Sequence, residues 1–227
     1  MFTQHHLTYH KINSLYKREM FAKNRLMIGD FSQEEFEYLY NNEWICTEKI
    51  DGTNVFCYYD PNSGEVEFHG KTSEAEMPAH LYEKMRQLFT VEKLEKAFPP
   101  KTDEHGNRED VSVWIYGEGY GMKIQKGGNY ISRDCGVILF DVKINNWWLK
   151  REDVEDIASK LELPVVPIVG IMTLADAEKY VREGFKSIIA ENRNYDAEGL
   201  VCVPKVTLFD RAGRRVIVKI KTCDYRH

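Results

Sequence analysis

The order of apolar and polar positions divides the chain into many short strands and a few helices. Stretches that read as strands run over Trp44–Glu48, Asn54–Asp60, Glu65–Gly70, Val111–Gly117, Val137–Lys143, Gly199–Val203 and Arg215–Lys221. The run Asp60-Pro-Asn-Ser-Gly64 between two of them is turn chemistry and predicts a hairpin. Helical periodicity appears over His80–Phe98, where Leu81, Met85, Leu88, Leu94 and Phe98 recur near one face. It returns at Arg151–Leu161 and Leu174–Glu183, and the early acids Glu152, Asp153 and Asp176 suit the N-terminal ends of those two helices. Strands outnumber helices without alternating strictly with them, which predicts an α+β fold with mainly antiparallel sheets. One polar, turn-rich excursion, Phe98–Asp110, interrupts the pattern, and no internal repeat or low-complexity segment occurs. A single domain over residues 1–227 is the expectation.

Composition narrows the class but does not define it. The chain has 227 residues, 43% apolar and 30% charged, as in an ordinary globular protein. No apolar run reaches the length of a membrane span, and the first residues lack the apolar centre of a signal peptide. A cytoplasmic protein without membrane association is expected. The five cysteines are scattered and form no CxxC pair, which fits neither a disulfide framework nor a zinc site, so they read as reduced, mostly buried residues. Lysine and arginine number 31 against 36 acids, a net charge of −5 that argues mildly against a nucleic-acid partner. The distribution says more: between Pro204 and Thr222, Lys205, Arg211, Arg214, Arg215, Lys219 and Lys221 face only Asp210. Such a stretch is either a phosphate-binding surface or a solvated hairpin.

The chemistry centres on Cys46-Thr-Glu-Lys-Ile-Asp-Gly-Thr-Asn54. A strand through Glu48 delivers Lys49 to its end, and Asp51-Gly52 turns the chain into the next strand. A lysine held there works as a nucleophile only when its amine is deprotonated, which needs desolvation or nearby positive charge. Alone, the pattern equally describes a hairpin with an exposed lysine. Downstream, Trp114-Ile-Tyr-Gly-Glu-Gly119 ends a strand on Glu118, and Val137-Ile-Leu-Phe-Asp-Val142 carries Phe140. Ala197-Glu-Gly-Leu-Val201 opens a strand with Glu198, and Val216-Ile-Val-Lys-Ile-Lys-Thr222 sets Lys219 and Lys221 on one strand face. Two neighbouring lysines inside a sheet are costly unless they face an anion, and a carboxylate among them suits a metal–phosphate site.

The ordered set K-x-D-G, Y-G-E, L-F-D, E-G-L-V and V-K-I-K resembles the motifs of the covalent lysyl-nucleotidyltransferases, the DNA ligases, RNA ligases and capping enzymes. The resemblance spans Glu48 to Thr222. Asn54, five residues after the lysine, and the run Gly119-Tyr-Gly-Met-Lys-Ile-Gln-Lys-Gly-Gly-Asn-Tyr130 are similar to the type 2 RNA ligase branch. The resemblance implies one nucleotidyltransferase domain, unrelated to the ATP-grasp fold, in which two sheets flanked by helices enclose an ATP cleft. It implies that Lys49 takes AMP from ATP, passes it to a 5′-phosphate and joins that end to a 3′-hydroxyl. Glu48 and the Ile50 backbone would face the adenine edge, Phe140 would stack on the ring, and Glu118 would hold the ribose hydroxyls. Glu198 would position Mg2+ or Mn2+, and Lys219 and Lys221 would contact the triphosphate. Asp51, Gly52, Asn54 and Lys71 complete the nucleotide-binding set. The partners implied are RNA ends or a nicked duplex.

Two positions depart from that pattern. Where the branch often has arginine after the lysine hairpin, His69-Gly-Lys-Thr72 offers Lys71; where a lysine is common after the motif glutamate, the chain has Val203, with Lys205 two residues on. No appended OB-fold or helical domain is expected after Thr222, which leaves open poor sealing of ends, use of the N-terminal segment, or use of a partner protein. Tyr9–Arg18 reads equally as a segment that covers the nucleotide or touches RNA and as surface packing. Other residues carry plainer readings. His5, His6 and His10 lack companion ligands for a metal, Trp147 and Trp148 read as hairpin and core residues, and Gly127-Gly128 reads as a turn. Two other functions stay open on the sequence: a GTP-using capping-type transferase, and a catalytically weak nucleic-acid-binding module.

Overall fold

The structure is a computed structural model, and it describes residues 9–19, 21, 24–71, 77–107 and 109–226. His5 and His6 lie outside the described residues. The fold is mixed α+β, and the chain divides into two compact units, Met1–Tyr9 with Gly52–Val165 and His10–Asp51 with Val166–His227.

The first unit is built on a five-stranded antiparallel sheet of order β6-β5-β7-β8-β9. Its strands are β5 (Thr53–Asp60), β6 (Glu65–Gly70), β7 (Val113–Gly121), β8 (Cys135–Ile144) and β9 (Trp147–Trp148). The β5–β6 hairpin closes as its turn residues predict: Asp60 accepts from Asn62 N–H at 2.8 Å and from the Ser63 hydroxyl at 2.7 Å, and Gly64 takes φ +74°. One sheet face carries Val55, Cys57, Val113, Ile115, Val137, Leu139 and Val142 into a core shared with α2 (Ala79–Leu88), α3 (Val91–Ala97) and α4 (Arg151–Leu161). The periodic stretch over His80–Phe98 is two helices. Thr90 breaks it, because its hydroxyl caps α3 by accepting from Lys93 N–H. Trp148 is half-buried, but Trp147 is 75% exposed and is not a core residue. Pairing of β7 with β8 slips between Tyr116 and Gly117: Tyr116 faces Asp141, yet Gly117 faces Leu139. Leu139 and Val142 therefore both reach the core, and Phe140 is left outside the regular pairing.

The second unit carries a five-stranded sheet of order β1-β12-β11-β4-β10, from β1 (Asn13–Ser14), β4 (Trp44–Lys49), β10 (Ile168–Met172), β11 (Gly199–Pro204) and β12 (Val218–Lys221). Its pairs are antiparallel except β1 with β12. A two-stranded ribbon of β2 (Tyr16–Arg18) and β3 (Leu26–Phe31) and the short α1 (Glu34–Tyr38) complete the N-terminal part. Alternation along β4 buries Trp44, Cys46 and Glu48 and leaves Ile45, Thr47 and Lys49 partly open. The buried face meets α5 (Leu174–Glu183) through Leu174, Ala177 and Val181. Thr173 caps α5 by accepting from Asp176 N–H at 3.1 Å. Residues 215–217 do not continue β12 upstream; Arg215 instead bridges Phe209. Cys46, Cys57, Cys135 and Cys202 are buried free thiols and Cys223 is exposed. Among the described residues no helix is long and apolar enough to cross a membrane.

Candidate functional site

In the second unit, strand register assembles one charged cluster. Gly199 of β11 pairs with Lys49 of β4 on one side and with Lys221 of β12 on the other. Val201 likewise lies between Thr47 and Lys219. Paired positions share a sheet face, so Lys49, Lys219 and Lys221 stand on the same side. Gly199 separates two of the lysines without a side chain of its own. A Cβ there would lie 2.0 Å from the Ile220 carbonyl oxygen, and φ is +149°, so only glycine fits.

Glu198 completes the cluster. Its Oε2 is 2.6 Å from Lys49 Nζ and its Oε1 is 2.6 Å from Lys221 Nζ. The strand end that carries it is fixed by Thr222, whose N–H donates to the Glu198 carbonyl at 2.8 Å and whose hydroxyl donates to the Ala197 carbonyl at 3.0 Å. Burial works against the Lys221 ammonium, but the bond and charge of Glu198 outweigh it and hold its pKa above the usual value. Three lysines and one carboxylate form a net cationic surface suited to phosphate oxygens. Tyr195 and Thr222 belong to this neighbourhood and were not legible as site residues. Burial first, then the negative charges of Asp51, Glu198 and Asp196, raise the pKa of the Tyr195 phenol.

Glu48 points the other way. Its side chain occupies the face of β4 opposite Lys49, is 1% exposed, and accepts from the Ser187 hydroxyl and, at 2.8 Å, from Ile188 N–H. Burial raises its pKa, and those two bonds pull in the opposite direction. Ile50 is buried, and Asp51 is half-buried at the end of this unit. Lys205 is not brought to the cluster: it pairs with Glu43 at 2.8 Å, beside the Trp44 end of β4.

The remaining candidates lie in the first unit. Gly52 rests against the backbone of β7, where a Cβ would come 2.3 Å from the Gly119 carbonyl oxygen. Asn54 pairs with Glu118 across β5 and β7, and Asn54 Oδ1 is buried without a hydrogen-bond partner. Phe140 meets the Tyr9 ring edge-on, with centroids 5.1 Å apart, and the Tyr9 hydroxyl donates to Asp141 Oδ2 at 2.6 Å. Lys71 is exposed just past β6. Gly127 packs on the backbone of Gly121, which agrees with a turn role.

Among the described residues no group of three or more histidine, cysteine or carboxylate side chains could hold a metal. The Glu198 carboxylate gives this cluster a hard oxygen donor of the kind a divalent cation takes, and both of its oxygens are ion-paired with lysine.

These motifs match the sequence profile of the RNA ligase family over residues 42–221, and the chain belongs to that family. No curated protein matches it significantly. Among solved structures the fold is similar to Naegleria gruberi RNA ligase with PPi, at 18% identity and a TM-score of 0.61 over 85% of this chain and 53% of that one. Two alanine mutants of the same Naegleria ligase, each with ATP and Mn, match with a TM-score of 0.61. One shares 17% identity over 85% of this chain and 53% of that one; the other shares 15% over 96% and 61%. The chain thus spans about half the length of the Naegleria ligase.

Proposed function

We propose that the protein is an ATP-dependent RNA ligase of the type 2-like branch that carries AMP on Lys49. The observation that supports this most strongly is the Glu198 carboxylate between Lys49 and Lys221. In the first step Lys49 Nζ attacks the α-phosphorus of ATP, a P–N bond forms, and the bond to pyrophosphate breaks. In the second, an RNA 5′-phosphate oxygen attacks the same phosphorus and frees Lys49. In the third, a 3′-hydroxyl attacks the activated 5′-phosphate, the strands join, and AMP leaves.

Lys49 reacts as a free amine, so its 2.6 Å ion pair with Glu198 must give way before it attacks. Lys219 and Lys221 neutralise charge that develops on the phosphate oxygens. Glu198 would hold Mg2+ or Mn2+ together with the triphosphate, and that ion would supply further charge neutralisation. Glu118 would hold the ribose hydroxyls of ATP, with Phe140 against the adenine. Phosphoryl transfer depends mostly on positioning and neutralisation, and the cluster of Lys49, Glu198, Lys219 and Lys221 would supply the neutralisation.

Incubation with α-labelled ATP or GTP and Mg2+, followed by denaturing electrophoresis, tests the reading. Covalent label from ATP supports it. Label from GTP alone would indicate a capping-type transferase, and RNA binding without label would indicate a binding module.

A further inference from the structure

The β11–β12 connection, residues 205–217, takes no part in the chemistry above. It folds back on itself: Phe209 bridges Arg215, and Val216 N–H donates to the Leu208 carbonyl at 2.9 Å. Asp210 braces its tip. Asp210 Oδ1 accepts from Ala212 N–H at 2.9 Å and Arg214 N–H at 2.8 Å, and its Oδ2 accepts from Arg214 Nε at 2.8 Å. Gly213, at φ +74°, closes the turn. The side chains on this frame are unusual for a solvent-facing loop: Val206, Leu208 and Phe209 are 70%, 38% and 55% exposed. Arg211 is exposed beside them and makes no ion pair among the described residues.

From this arrangement we infer that the β11–β12 hairpin is a grip for single-stranded RNA flanking the ends to be joined, with Phe209 stacked on a base and Arg211 on a phosphate. The inference rests on the RNA ligase reading above. Charge selects the ligand: Lys205 is paired with Glu43 and Arg214 with Asp210, which leaves the exposed Arg211 beside Phe209 as a cation without an ion pair among the described residues. A second copy of the same hairpin would bring like charges together, whereas a polyanion with exposed ring faces satisfies both the guanidinium and the aromatic side chain. Topology selects the position. β11 leaves from Gly199 in the reactive cluster and β12 returns to Lys219 and Lys221. Five residue steps separate Gly199 from Pro204, about 17 Å along the strand. The hairpin therefore meets RNA several nucleotides away from the junction.

The test measures binding of a 5′-phosphorylated single-stranded RNA oligonucleotide by fluorescence anisotropy for the full chain, Phe209→Ala and Arg211→Ala, across a salt series. Phe209→Ala is expected to weaken binding about tenfold with an unchanged salt slope. Arg211→Ala is expected to lower the slope of log affinity against log salt by about 0.7. Parental affinity and slope in both variants would overturn the inference, as would a defect seen only as loss of self-association in sedimentation. Covalent labelling by ATP, measured in parallel, keeps two failures apart. Variants that label normally but lose RNA affinity support the grip. A parental protein that takes no label refutes the ligase reading, and without that reading the assignment of the hairpin to ends being joined falls as well.

Discussion

Lys49 Nζ and Glu198 Oε2 lie 2.6 Å apart, although 149 residues separate them in sequence. The contact exists because β11 pairs with both β4 and β12, so one carboxylate at the start of β11 reaches a lysine on each neighbour. If this cluster handles the triphosphate, Glu198→Ala, Lys219→Ala and Lys221→Ala should each slow lysine adenylation by at least about a hundredfold. Single-turnover labelling over a metal titration checks this. Only the Glu198 variant should also need more metal for half-maximal rate, and an unchanged metal requirement would place the cation elsewhere.

Gly199 should tolerate no side chain. An alanine Cβ at 2.0 Å from the Ile220 carbonyl, on a backbone with φ +149°, must force β11 and β12 apart. Gly199→Ala is expected to cost at least about 2 kcal/mol in urea unfolding. Gly128, whose Cβ would meet nothing within 4 Å, provides the comparison, and Gly128→Ala should leave the midpoint nearly unchanged.

Glu48 makes stability depend on pH in a defined direction. Burial raises its carboxyl pKa in the folded state, so the folded state holds its proton more tightly than the unfolded chain does. The resulting stabilisation is present below the ordinary carboxylate range and is lost as pH rises through the raised folded value. Glu48→Gln has no such titration. The melting temperature of Glu48→Gln relative to the parent should therefore increase as pH rises from acid toward neutrality. A constant difference across that range would show that the Glu48 carboxylate does not titrate with folding.

The motif residues were legible because strands give sequence a period of two. Lys219 and Lys221 share a face for that reason alone, and Lys49 falls at the end of a strand that the pattern bounds within one residue. Helices α4 and α5 were equally plain, since each buries a regular stripe. What stayed hidden depends on contacts between distant segments. The register slip that leaves Phe140 out of regular pairing needs the partner strand, and Thr90 becomes a cap only once its hydroxyl faces Lys93 N–H. The two-residue β1 is too short to show a period, and β10 joins the sheet by pairing with β4. Ser187 and Ile188 meet Glu48 from an irregular segment that carries no motif.

Asn54 motivates a prediction about the substrate. Its buried, unpartnered Oδ1 can accept from a hydroxyl, and the ribose 2′-hydroxyl is what distinguishes RNA from DNA at a single nucleotide. Pre-adenylated nicked duplexes that differ only in ribose or deoxyribose at the terminal 3′ nucleotide should be sealed at rates differing by at least about tenfold, with ribose faster. Equal rates at low salt would leave a general polynucleotide ligase.

Lys49 as the carrier of AMP is put to the test by incubating the parent and Lys49→Ala with α-labelled ATP and Mg2+, digesting the products, and mapping the label by mass spectrometry. The expected result is one adenylated peptide in the parent, modified at Lys49, and no covalent label on the Lys49→Ala protein while its fold is intact. Label that persists in the variant, or that maps in the parent to a different lysine, would contradict it.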